Sequence, residues 1–240
     1  MKHFIGGRAL TTAIGSFVLA ASLLTGCAAD PDSTSPSTVP SDPASSTPAA
    51  APEPLDAVTT LVARPLAIEL KDANGSVVQS LDYLSDTAAA VAILTTVFGA
   101  PPTVEADAGS SNEPPSTIHR WASFELREPK YDGPIPEAEQ GPWYPDFRVA
   151  FTAAASGDVR LETSSGHVAE EPWADFAASA DANTNGLCNE RYGEVVVLPR
   201  TYSDGTVEDS RSSVEFRASD DGTIIARVEA PRVMHRDGCA

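Results

Sequence analysis

From residue 55 onward, apolar positions fall in short runs punctuated by Gly, Pro, Asn and Asp. Residues 66–71 and 76–83 flank Asn74-Gly75, a dipeptide suited to a tight hairpin turn because both central positions of that turn need positive φ. Residues 86–98 carry Ala89, Ile93, Leu94 and Val97 on one helical face, with Ser85 or Asp86 as the cap and Gly99 and Pro101 as the stop. After a loop rich in Pro, Ser and Gly, residues 118–127 alternate as one strand. Residues 147–152 and 159–162 form a second hairpin around Ser156-Gly157-Asp158. A shorter helix is expected over 171–180 and three strands over 194–198, 212–218 and 223–229, with Asp221-Gly222 turning the last pair.

Two of these segments look alike. VAFTAAASGDVRL, starting at Val149, lies over VEFRASDDGTIIA, starting at Val214, with the same Val-x-Phe and the same turn glycine (Gly157, Gly222). The pattern predicts an α+β domain: an antiparallel sheet built from an N-terminal hairpin and two helix-plus-three-strand units, at about residues 66–166 and 167–240, with helices packed on one face. That order resembles the tandem-repeat architecture of β-lactamase-inhibitor-like envelope lipoproteins.

The N-terminus sets the compartment. Lys2 and Arg8 precede an apolar stretch, residues 9–24, that Thr11, Thr12, Gly15, Ser16 and Ser22 make too short and too diluted to span a bilayer. Leu24-Thr25-Gly26-Cys27 resembles the lipobox of bacterial secreted lipoproteins, and the Ala-, Asp- and Pro-rich, Lys-poor composition resembles that of actinobacterial ones. The resemblance implies that residues 1–26 are a signal peptide and that Cys27 is acylated, two acyl chains being enough for stable anchoring where one is marginal. Residues 27–54, nearly all Pro, Ser, Thr, Ala and Asp, hold too little apolar surface for a core and read as a disordered stalk. The expected location is the cell membrane, lipid-anchored and facing outside the cytoplasm, with residues 55–240 as the extracytoplasmic domain.

Charge narrows the partners. Without Lys2 and Arg8 the chain keeps 14 basic against 34 acidic side chains, so a field of about −20 repels nucleic acid and anionic headgroups and leaves the lipid as the membrane partner. With Cys27 acylated, Cys188 and Cys239 remain as an even pair in an oxidising compartment, where a disulfide is expected.

Residues 181–190 place Asp181, Asn183 and Asn185 at the alternating positions of a calcium loop with Gly186 sixth, but the twelfth position is Tyr192 and Glu190 comes two residues early. Either this is a helix end turning into a strand or it is a partial calcium site; no other cofactor is implied. His119, His167 and His235 have no metal-type spacing, no Ser lies in a G-x-S-x-G context, and the adjacent acids read as solvated surface, so no enzyme is expected and an envelope hydrolase is the remote alternative. Residues 130–147 hold Tyr131, Trp143, Tyr144 and Phe147 on a proline-stiffened connection too long for a turn. They are either a binding surface for a protein or cell-wall ligand or an apolar cover folded back on the sheet.

Overall fold

The computed structural model describes residues 54–111, 113–136, 140–179, 181–184 and 190–234, all within one compact unit, Ala49–Ala240. Strands make up 48% of the described residues, against two α-helices among them, so the protein is mostly β with predominantly antiparallel pairing.

The first sheet contains β1 (Val58–Ala63), β2 (Ala67–Asp72), β3 (Val77–Asp82), β8 (Ala155–Ser156) and β9 (Val159–Thr163), in the order β3-β2-β1-β9-β8. The second contains β4 (Thr103–Asp107), β5 (Ser116–Trp121), β6 (Phe124–Pro129), β7 (Arg148–Phe151), β10 (Asn183–Thr184), β11 (Glu190–Thr201), β12 (Val207–Ala218) and β13 (Ile225–Met234). Its order is β10-β11-β12-β13-β7-β6-β5-β4, antiparallel throughout. Leu61, Ile68 and Leu70 from the first sheet share one core cluster with Phe124, Leu126, Val149, Phe151, Val214, Phe216 and Val228 from the second. Each fully buried side chain of this size contributes about 1.5–3 kcal/mol.

Local chemistry accounts for the elements that the sequence predicts. The Asp72 carboxylate accepts hydrogen bonds from the backbone N–H of Asn74 (2.9 Å) and Ser76 (2.8 Å), and Gly75 takes φ +80°, which closes the β2-β3 hairpin. Helix α1 (Thr87–Phe98) starts where the Asp86 side chain accepts from the Ala89 N–H at 2.7 Å, and it ends at Gly99 in the left-handed conformation. Its buried face is centred on Ala90 and Leu94, with Ile93 and Val97 packed against the core as expected, while Ala89 is exposed. Helix α2 (Trp173–Ala178) is shorter than expected and buries Phe176, whose ring centroid lies 4.2 Å from that of Phe216.

Three expectations need correction. Residues 118–127 are not one strand: Ala122, at φ +48°, turns the chain so that β5 and β6 pair, with Trp121 opposite Phe124. The strands β1 and β4 lie where no strand was expected, and β1 is central to its sheet, pairing antiparallel with β2 and parallel with β9. Most consequentially, the two similar segments do not fold alike. β12 and β13 pair with each other, whereas β7 belongs to the second sheet and β8 and β9 to the first, so residues 152–154 cross between sheets. The shared Val-x-Phe marks only that each segment points alternate side chains into the core. The architecture is therefore two unlike sheets and not a tandem repeat.

Leu94 is fully buried and Val104 is 61% exposed. Leu94→Ala should lower unfolding stability by about 2–5 kcal/mol in urea denaturation, and Val104→Ala by no more than about 0.5 kcal/mol. Equal losses would contradict this placement of the core.

Candidate functional site

The outer face of the second sheet collects six arginines and six carboxylates into one connected network. Arg120 bridges Glu105 (3.4 Å) and Glu125 (3.1 Å); Arg127 bridges Glu125 and Asp107; Arg227 joins Glu125 (2.8 Å) to Glu229 (3.2 Å). Arg232 then links Glu229, Glu215 and Glu113, with Arg217 on Glu215 and Arg148 on Glu113. The register explains the row: Arg120 lies opposite Glu125, Glu125 opposite Ala150, Ala150 opposite Glu229 and Glu229 opposite Glu215. The small Ala150 leaves room between two acids for the long arginine side chains.

Glu215 is 0% exposed and Glu229 5%. Burial alone would raise the Glu229 carboxyl, but the surrounding guanidiniums, Arg232 and Arg227 foremost, overcome it and hold the group at about 2. Charges so matched are spent on one another, so this face has structural chemistry and little to offer a ligand.

Two concave sites remain among those described. The larger, about 440 Å³, lies between Phe98, Pro101 and Trp121 on one side and Ser156-Gly157 on the other. Most of its polar groups are committed: the Trp121 indole donates to the Ala100 carbonyl at 2.8 Å, Ser156 Oγ donates to the Trp121 carbonyl, and Arg120 Nη2 is held by two glutamates, leaving its buried Nε without a partner among the described residues. The smaller, about 190 Å³, is lined by Leu66, Asp82, Tyr83, Leu84, Pro142 and Leu198. Leu66 and Leu84 are themselves exposed, at 36% and 44%. The smaller volume equals that of about six waters at about 30 Å³ each, room for a side chain but not for a drug-sized ligand of about 300–1,000 Å³.

Beside this notch stands a cation among aromatics. Past Arg211 and Met234, the last pair of β12 with β13 among the described residues, β11 and β12 go on pairing as an arm closed by the turn Tyr202–Thr206, where Gly205 takes φ +83°. On one side of the arm Leu198 and Arg200 alternate with the exposed Val197 and Pro199. The Arg200 guanidinium carbon sits 5.3 Å from the Trp143 and Tyr144 ring centroids and 4.7 Å from that of Tyr202. Its Nη2 donates to the Tyr144 hydroxyl at 3.4 Å, while its Nε is buried and has no partner among the described residues. Among the described residues, no carboxylate lies within ion-pair distance of Arg200. Trp143 is aimed there by Gly141, where an added Cβ would lie 2.5 Å from the indole ring.

The structure thus divides the four expected aromatic residues. Trp143 and Tyr144 are half-buried and frame Arg200. Tyr131 supports them: its ring meets Tyr144 edge-on at 5.4 Å, its hydroxyl donates to the Pro145 carbonyl at 3.1 Å, and burial pushes it up to about 12. Phe147 takes the second of the two roles expected for this stretch: it is folded back and fully buried against Tyr83 at 5.5 Å, because it leads directly into the inward-facing alternation of β7. Arg200 and Tyr202 were not anticipated; the alternation Leu198, Arg200, Tyr202 was the available signal, but the strand was expected to stop at 198.

Of the expected calcium ligands, Asn185 lies outside the described residues, as do Cys27, Cys188 and Cys239; the backbone of Asn183 pairs with Tyr192 in the β10-β11 ladder. Asp181 faces His167 Nε2 at 3.5 Å, and Glu171 holds His167 Nδ1 at 2.9 Å. Both ring nitrogens therefore face carboxylates, and the ring packs edge-on against Phe176. Ser165 Oγ turns instead to Glu194 at 3.4 Å, so this histidine is a latch on the β10 approach and not a base poised on a hydroxyl.

No protein-family model matches the chain, and no significant match occurs among curated proteins or solved structures.

Glu229→Gln should cost about 3–5 kcal/mol near neutral pH, because buried guanidiniums lose their partner. A carboxyl depressed by folding contributes stability above its unfolded pKa and loses it as pH falls through the folded one. The wild type should therefore weaken between about pH 4.5 and pH 2. Chemical denaturation across that range should show a shallower acid limb in the variant.

Proposed function

We propose that this chain is a lipid-anchored, extracytoplasmic, non-catalytic binding protein that engages a protein or cell-wall partner through the Arg200 cluster and the adjoining notch. The observation that carries this reading is a guanidinium framed by Trp143, Tyr144 and Tyr202 without a carboxylate among the described residues, next to exposed Leu66 and Leu84. Aromatic and arginine side chains dominate interaction energetics because they bring large contact area and directed hydrogen bonds with few torsions to freeze. The partly exposed cluster and the apolar notch supply both halves of such a surface on a rigid strand and a proline-stiffened loop.

The lipobox-like Leu24-Thr25-Gly26-Cys27 and the stalk that follows supply the placement: acyl chains on Cys27 tether the acidic body, and the stalk lifts the surface away from the bilayer. Cys27→Ser should shift the chain from membrane pellet to soluble fraction in cell fractionation; retention in the pellet would contradict the anchor.

For the surface, a photo-crosslinking residue at Leu84 should capture a discrete envelope partner, and Trp143→Ala combined with Tyr144→Ala should remove that product while the thermal unfolding profile stays cooperative. An unchanged crosslink pattern in the folded variant would overturn this assignment.

A further inference from the structure

The chemistry of the cluster also names the ligand class, on the premise that the cluster is the interaction surface. In this acidic protein the outer-face arginines are neutralised pairwise by carboxylates, whereas Arg200 has its guanidinium flanked by rings. Rings stacked on a guanidinium hold it in place without consuming its in-plane donors. Here, among the described residues, Nη2 makes one long contact to a phenol and Nη1 makes none, whereas Nε is buried without a partner, so the edge open to a ligand is the Nη1–Nη2 edge. A planar fork with free N–H groups fits a carboxylate bidentately, and such charge-assisted pairs are about twice as strong as neutral hydrogen bonds.

The neighbouring notch specifies what the carboxylate is attached to. Leu198, which lines it, and Arg200 stand two residues apart on one strand, so their backbone positions are separated by roughly 6.6 Å. A ligand serving both must carry an apolar group and an anion close together, and the notch admits one side chain. A peptide C-terminus ending in an aliphatic residue meets both conditions, because its side chain and carboxylate share one Cα. Charge complementarity agrees: an anion approaching this net-negative chain of formal charge −18 gains affinity only where a cation lacks its own counter-ion.

We infer that Arg200 and the Leu198 notch together form a receptor for a peptide C-terminal carboxylate whose last residue is aliphatic, with the carboxylate on the Arg200 fork and the side chain in the notch.

The test uses the purified full chain and three fluorescently labelled peptides: one ending in Ala-Leu as the free acid, the same peptide as its carboxamide, and an amidated peptide with an internal Glu before Leu. Fluorescence anisotropy should show the free acid binding at least about tenfold tighter than either amide. Arg200→Gln should bring the acid down to the level of the amide, Arg200→Lys should fall between them, and Leu198→Ala should weaken all three peptides, each variant first passing a thermal-unfolding check. Equal binding of acid and carboxamide, persistence of the difference in Arg200→Gln, or no binding by any peptide would overturn the carboxylate assignment. Equal affinity of the internal-Glu peptide and the free acid would overturn the C-terminal source. If acid and amide bind alike and both are lost in Leu198→Ala, the surface assignment stands while the anion assignment falls. If the carboxylate preference survives in Trp143→Ala/Tyr144→Ala and in Arg200→Gln alike, the surface itself is misplaced.

Discussion

Burying Glu215 and Glu229 under a sheet that carries a large acidic excess is only tenable if guanidiniums surround them, and the outer face of the second sheet is organised by that requirement. An isolated buried carboxylate would neutralise itself or unfold the sheet. Here the acids alternate with arginines across β6, β13 and β12, and Arg232 alone ties three of them together. The face is thereby locked by directed pairs, while the opposite face of the same strands carries Val214, Phe216 and Val228 into the apolar core. A sheet held by an apolar core on one face and a paired ion network on the other is the platform from which the β11-β12 arm extends.

The same allocation of charge shapes the functional surface. The six networked arginines of the platform are neutralised where they stand, and with 34 acidic against 16 basic side chains the long-range field of the molecule is negative. Arg200 is on the arm beyond β13 and is held by aromatic faces in place of carboxylates. The fold thus presents a guanidinium framed by rings, and not by carboxylates among the described residues, beside the exposed Leu66 and Leu84. The larger groove at Trp121 illustrates the contrast, because its indole, hydroxyl and guanidinium are already bonded within the chain.

Much of the local structure was legible in the sequence because local chemistry dictates it. Asn74-Gly75 needs only its own backbone to turn, and Asp86 caps α1 with its own side chain. What escaped was set by distant partners. The parallel pairing of β1 with β9 joins residues about a hundred positions apart, and nothing in residues 58–63 announces it. The similarity between residues 149–161 and 214–226 reported a shared inward periodicity, which two topologically different segments satisfy equally. The aromatic loop was legible in part: its stiffness and composition mark Trp143 and Tyr144, but only the fold shows that Phe147 enters the core and that Arg200 waits opposite. Alternation in β12 and β13 likewise distinguished an inner from an outer face without showing that the outer face was a paired ion network.

The proposed binding role has a spatial consequence: an envelope partner would meet the arm and the aromatic loop, not the ion-paired face or the Trp121 groove. Hydrogen–deuterium exchange on the full chain, with and without an envelope extract, tests it most directly. The account predicts protection concentrated in residues 140–147 and 196–203. Protection confined to residues 98–103 and 120–123, or to residues 225–232 of β13, with residues 196–203 unchanged, would contradict it.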